Sequence, residues 1–338
     1  MNVRHIPFFL PLAGVLSAFI GCADVAPPQA PVLAYAFNVK SQDVTVIDTA
    51  TNEVVDTRAL GASVRWLSNE QDYWDGRHIW TYELVEGMVH VIAVDPVEMR
   101  VVRRLEVGKG PAHSVQLTPD RRHVLVNAAG DDIVAVIDRE RLEIVHRIAT
   151  DDFPCDIDLA AERGLGYFPE RDQHTVAAFD LTSWEIVKRT ALPEGSKPHM
   201  LRVDPRGETV WVQTAVGGTN DILDADTLSS RDSRKLGKVP VTNAWTPDGR
   251  YAYVTHFRDE FTSVIDAKNY NEVKRIRVGQ GIANVNFRPD GRFAYATLHS
   301  ENKIAVINTA TMEVVKTLPA GTQPFGLIVM ARPGGAAR

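Results

Sequence analysis

The sequence predicts an all-β fold, a single seven-bladed β-propeller, and three observations predict it. First, a Val-Ile-Asp corner recurs along the chain, as Val46-Ile47-Asp48, Val94-Asp95, Val136-Ile137-Asp138, Phe179-Asp180, Leu223-Asp224, Val264-Ile265-Asp266 and Val306-Ile307-Asn308. The corners are spaced by 47, 43, 42, 44, 42 and 42 residues, the period of a propeller blade of four short strands. Second, each period holds short runs of β-branched and aromatic residues bounded by turn signals. Third, the first period lacks an innermost strand, and an extra apolar run, Gln323 to Met330, stands at the far end of the chain.

One period shows why the residues choose this structure. In Thr246 to Gly279, Pro247-Asp248-Gly249 is a tight turn, with Pro presetting φ and Gly taking the left-handed position. Tyr251 to Thr255 is a strand, and the polar run His256 to Glu260 is a loop. Thr262 to Asp266 is the next strand, with Asp266 opening a second turn. Glu272 to Val278 alternates polar and apolar residues, as a half-buried edge strand does. One such unit cannot bury both faces of its sheet, so the units must stack around an axis. The first unit starts at Val32 with its second strand, and the C-terminal run supplies the missing one. That pairing closes the ring and protects edges that an open ring would expose. The fifth unit, Pro198 to Val239, departs most, with an irregular Gly217-Gly218-Thr219-Asn220-Asp221 loop and a polar outer strand.

These residues resemble a known family. Tyr253-Val254-Thr255 followed by Ser263 to Asp266, with Thr118-Pro119-Asp120, Arg288 to Gly291 and Ile307 to Thr311, is similar to the YVTN-type β-propeller repeat of bacterial cell-envelope proteins. The resemblance spans Val32 to Met330. It implies the fold and an envelope setting, and it brings no catalytic motif.

The first 21 residues read as a signal peptide, with Arg4 as the charged region and Ile6 to Ile20 as the apolar region. Gly21-Cys22 resembles the lipobox of bacterial lipoproteins, so Cys22 is the expected lipid attachment site. Ala23 to Pro31 reads as a Pro/Ala-rich tether, and Ala331 to Arg338 as a tail. The expected location is the periplasm or another extracytoplasmic site, with membrane contact only through the lipid. Cys155 is then left without a disulfide partner, because the chain has 2 cysteines. The net charge of −6 gives no global attraction for nucleic acid. An insertion, Asn69 to Gly76, replaces a short turn in the second unit. Its Tyr73 and Trp74 either anchor a partner or cover a neighbouring blade.

Catalytic signatures are absent: no nucleophile elbow, phosphate loop, Cys-x-x-Cys pair, His-Glu-x-x-His motif or Cys-x-x-Cys-His haem attachment. The remaining signal is positional. Aligned at the residue before the inner apolar run, units three, four and five place His113, Cys155 and His199 in one slot. Asp156 and Met200 follow one residue further in. Units six and seven hold Val241 and Ala283 there. The loops after the second strands add His256 and His299 at the same mouth. Imidazole and thiolate suit copper, zinc or haem iron. Slots on neighbouring blades are expected several ångströms apart, which favours a flat cofactor such as haem over one small ion. A more distant resemblance, to the haem d1 propeller of cytochrome cd1 nitrite reductases, points the same way, although that propeller has eight blades. Seven-bladed lactonases share the size and fold. For that chemistry Glu170, Arg171, Arg258 and Asp259 offer acid, base and cation types.

Three functions follow. The lead reading is a non-enzymatic binding or scaffold protein that presents one propeller face to another envelope protein or a small ligand. The alternative is a periplasmic metal- or haem-binding propeller linked to redox metabolism, using His113, Cys155, His199, His256 and His299, with the first three as metal ligands. The third is a lactonase-like hydrolase.

Overall fold

The computed structural model describes residues 30–64 and 73–332. Cys22, the leader and most of the tether lie outside the described residues, as do the last six residues and much of the insertion. The chain forms seven antiparallel sheets arranged as a seven-bladed β-propeller. Six sheets have four strands, and the second, Ile79–Val85, Met88–Asp95 and Arg100–Lys109, has three among the described residues.

The C-terminal run closes the ring. Pro324–Ala331 pairs antiparallel with Val32–Asn38, from Val32 opposite Ala331 to Asn38 opposite Pro324. Its side chains are buried against the seventh blade as well as the first, because Leu327 and Val329 share a hydrophobic cluster with Tyr295, Ile304 and Val306.

The recurring corner has a local cause. In all seven blades the corner side chain, Asp or Asn, accepts backbone N–H groups two or three residues ahead. These bonds measure 2.7–3.1 Å. This is the Asx turn. The donated amides hold the Asp95, Asp138 and Asp180 carboxyls below the usual range. The fourth residue after each corner has a positive φ: Asn52, Met99, Leu142, Trp184, Leu228, Tyr270 and Met312, between 52° and 63°. Six of these seven are neither Asn nor Gly, so each carries left-handed strain. Burial offsets it in part: Leu228 is 1% exposed and Met99 2%.

One expectation changes and one open alternative is decided. The fifth blade is regular, with Pro198–Val203, Thr209–Thr214, Thr219–Asp224 and Ser230–Lys235 in one sheet. Gly218 takes φ +69° and Gly217 approaches Thr214 closely, so the two glycines make a tight turn in place of an irregular loop. In the insertion, Tyr73 is not an exposed anchor. It is buried in the core cluster that contains Trp80 and Tyr82, with Trp74 packed beside it. Asp75 pins the segment by accepting Trp80 Nε1 at 2.7 Å and Arg139 Nη1 at 2.7 Å, and Arg121 of the third blade donates to the Trp74 carbonyl.

Candidate metal centre

The chain reaches the propeller axis through the connection from an outer strand to the next inner strand. In four blades this connection has a left-handed residue followed by proline: Phe153-Pro154, Lys197-Pro198, Val239-Pro240 and Gln323-Pro324, with φ of 59°, 53°, 54° and 60° at the first residue. The left-handed residue turns the chain sharply, and proline fixes the next φ. The residue that follows is the slot read from the sequence. Blade three arrives through Gly110-Pro111-Ala112 instead.

Buried polar contacts hold these lead-ins together. Asn127, 0% exposed, accepts the His113 and Ser114 amides at 3.1 and 3.0 Å and donates from Nδ2 to the Pro154 carbonyl at 2.8 Å. It thereby locks the third lead-in to the fourth. The Cys155 amide donates to the Pro169 carbonyl and the Arg171 amide to the Phe153 carbonyl, both at 3.1 Å. Asp132 accepts the Phe153 amide at 3.0 Å. Sequence reasoning missed Asn127 and Phe153. Both stand at the same mouth level as the slot residues, but their types carry no signature.

The result is convergence. One ligand atom each from His113, Cys155 and His199 lie within 4.8 Å of one another. The two imidazole rings stand edge to face, with centroids 5.0 Å apart and planes at 73°. A metal with nitrogen at about 2.0 Å and sulfur at about 2.3 Å needs donor atoms roughly 3.3–3.5 Å apart. Side-chain rotations of about 1 Å would reach that, so the group suits one small ion. The donor atoms are thus several ångströms apart, as expected, but no more than 4.8 Å, although their slots are 42 and 44 residues apart in sequence, so one small ion fits as well as a flat cofactor.

The electrostatics separate the three donors. Burial, and secondarily the Arg171 guanidinium, push His199 down to about 4, so its ring is neutral, the form that coordinates a metal. Burial pushes the Cys155 thiol well above its ordinary range, against the opposing pull of Arg171. A metal must therefore displace that proton, which makes binding stronger as pH rises. Asp156 does not join the trio. It is buried and accepts the Ile157 amide at 2.9 Å, the Leu201 amide at 3.0 Å and Arg202 Nη1 at 3.1 Å. Burial raises its carboxyl above the usual range, with Arg202 opposing.

The other two histidines lie outside the cluster. His256 is the last residue of the strand Tyr251–His256 and is fully buried. Its Nε2 meets Ser263 Oγ at 3.0 Å, and that hydroxyl donates to Glu272 at 2.6 Å. His256 therefore points into its own blade, not into the mouth. His299 is wedged between Phe257 and Phe325, each 5.4 Å from its ring. Those two phenylalanines pack on the cluster that holds Met200 and Val241, so this part of the mouth is apolar. Two members of the acid-base set expected for a hydrolase, Glu170 and Asp259, are committed elsewhere. Glu170 is 0% exposed and bonded to Arg189, Thr175 and the Asp151 amide, and Asp259 accepts the Lys238 amide at 2.5 Å.

Residues 81–335 match the family described as YNCE-like beta-propeller. The chain belongs to that family. Among curated proteins no sequence matches it significantly. Solved structures share the fold at low identity. A functionally unknown protein from Desulfotomaculum acetoxidans aligns with a TM-score of 0.73 and 14% identity, over 88% of this chain and 98% of that one. A putative 6-phosphogluconolactonase from Bacteroides fragilis gives 0.73 and 12%, over 89% and 98%. The dihydro-heme d1 dehydrogenase NirN, solved in complex with DHE, gives 0.64 and 18%, over 85% of this chain and 63% of that one. At these identities the likeness concerns the fold alone.

Proposed function

We propose that this YNCE-like propeller is an extracytoplasmic metal-binding protein that takes one copper or zinc ion on His113, Cys155 and His199. The observation that carries the reading is the packing of two imidazoles and one thiol within 4.8 Å of one another at the mouth. A thiolate with two imidazoles is a soft-to-borderline donor set, the set of trigonal copper sites, and with three protein ligands it also fits zinc with a fourth position open. The tight convergence favours a small ion over a haem. The leader and Cys22 place the protein outside the cytoplasm in this reading, where burial protects the lone Cys155 from oxidation. The scaffold role is the competing reading, and metal titration separates them. The parent is expected to bind copper(I) in competition with a chromophoric chelator, and zinc by calorimetry. His199→Ala weakens both at least about tenfold, and His146→Ala, in the outer strand Glu143–Ala149, changes neither. Binding of neither metal more tightly than roughly 1 mM, about −4 kcal/mol, would leave the scaffold reading in place.

A further inference from the structure

We propose that the centre binds its metal together with a small monoanion, and that Arg171 is the residue that positions the anion; this rests on the metal reading above. Arg171 follows Glu170 at the end of the second strand of blade four. Its guanidinium lies over the Phe153 ring, 5.3 Å from the centroid. The same ring stands 6.0 Å from His113. Cation and ligand therefore share one aromatic wall. The field of Arg171 reaches both Cys155 and His199, on which it is the largest charge effect.

Two features single this cation out as a candidate for a ligand. Its Nε is buried without a hydrogen-bond partner, and a buried unsatisfied donor of this kind is uncommon in a folded protein. In addition, three acids near it in the chain or at the centre are already matched to other cations. Asp172 pairs with Lys197 at 2.6 Å, Asp156 with Arg202 at 3.1 Å and Glu170 with Arg189 at 3.0 Å. Among the described residues no carboxylate forms an ion pair with Arg171. Adding copper(I) to the Cys155 thiolate gives a neutral pair beside this uncompensated charge, and adding zinc gives a positive one. A monoanion in the open fourth position relieves that excess and supplies the missing acceptor. Arginine suits the task because it stays charged and offers several donors in one plane. The ligand class is a small monoanion with a lone pair for the metal, such as a pseudohalide or a carboxylate.

Cobalt(II) and azide test this. Cobalt loading gives a thiolate-to-metal charge-transfer band, and azide then perturbs the visible bands. The parent is expected to load and to show saturable azide binding. Arg171→Met, which keeps packing on Phe153, is expected to load cobalt as well as or better than the parent. It should bind azide at least about tenfold more weakly, and Arg171→Lys should recover part of the loss. Azide affinity within about twofold of the parent in Arg171→Met overturns the role of Arg171. A loaded parent that ignores azide overturns the anion while sparing the metal. A parent with no charge-transfer band overturns both.

Discussion

Cutting the chain after Gln323 removes the strand Pro324–Ala331 and opens the ring. Leu327, Ile328 and Met330 are 0% exposed and Val329 3%. At about 1.5–3 kcal/mol for each fully buried side chain, their lost burial amounts to roughly 6–12 kcal/mol. Whole domains are stable by only about 5–15 kcal/mol. The truncated chain also exposes the backbone edge of Val32–Asn38, which pairs with the closing strand in the intact protein. It should therefore aggregate, or melt without a cooperative transition. A milder variant keeps the test quantitative. Leu327→Ala leaves the ladder intact and should cost about 2–5 kcal/mol. Urea unfolding followed by tryptophan fluorescence measures the second variant, and size-exclusion chromatography with a thermal melt measures the first. A truncated protein that stays monomeric with an unchanged midpoint would refute closure by this strand.

Three further outcomes are expected. Gln42 is exposed and holds φ 53°, so Gln42→Gly should stabilise the protein by about 0.5–1 kcal/mol in urea unfolding; a loss of stability would contradict the strain argument. His256 is pushed down to about 4, chiefly by burial, whereas an unfolded histidine titrates near 6.5. The unfolded chain then binds the extra proton, so this contribution is whole above pH 6.5 and fades as pH falls towards 4, by up to about 3 kcal/mol. His256→Gln should flatten the pH dependence in that window, and an identical slope in both proteins would show that the ring is not buried and neutral. Cys22→Ser should move the protein from the membrane fraction to the soluble periplasmic fraction of its native host, and equal membrane recovery would argue against acylation there.

Much of the architecture was legible because its causes are local. The corner Asp or Asn side chains accept amides two or three residues ahead, and the strand patterns span six residues or so; hence the corner positions alone count the blades. Closure was legible too, since a period without an inner strand and a strand without a period must meet. Burial of Tyr73 stayed one of two open alternatives, because the side chain packs among Trp80 and Tyr82 in a geometry that an insertion's own residues do not encode. The slot residues His113, Cys155 and His199 could be aligned by period alone. Their distance could not, because it depends on how left-handed lead-ins such as Phe153-Pro154 and Lys197-Pro198 tilt the chain and on how Asn127 clasps two neighbouring blades. For the same reason the sequence placed five side chains at one mouth, whereas tertiary packing sorted them. His256 turned towards Ser263 inside its blade, and His299 was enclosed by Phe257 and Phe325. Sequence alone determined which elements form and how many, since backbone hydrogen bonds and burial patterns repeat within each period. Which side chains meet was decided only by the closed ring, where a small rotation of one blade moves an axial side chain by as much as a metal bond is long.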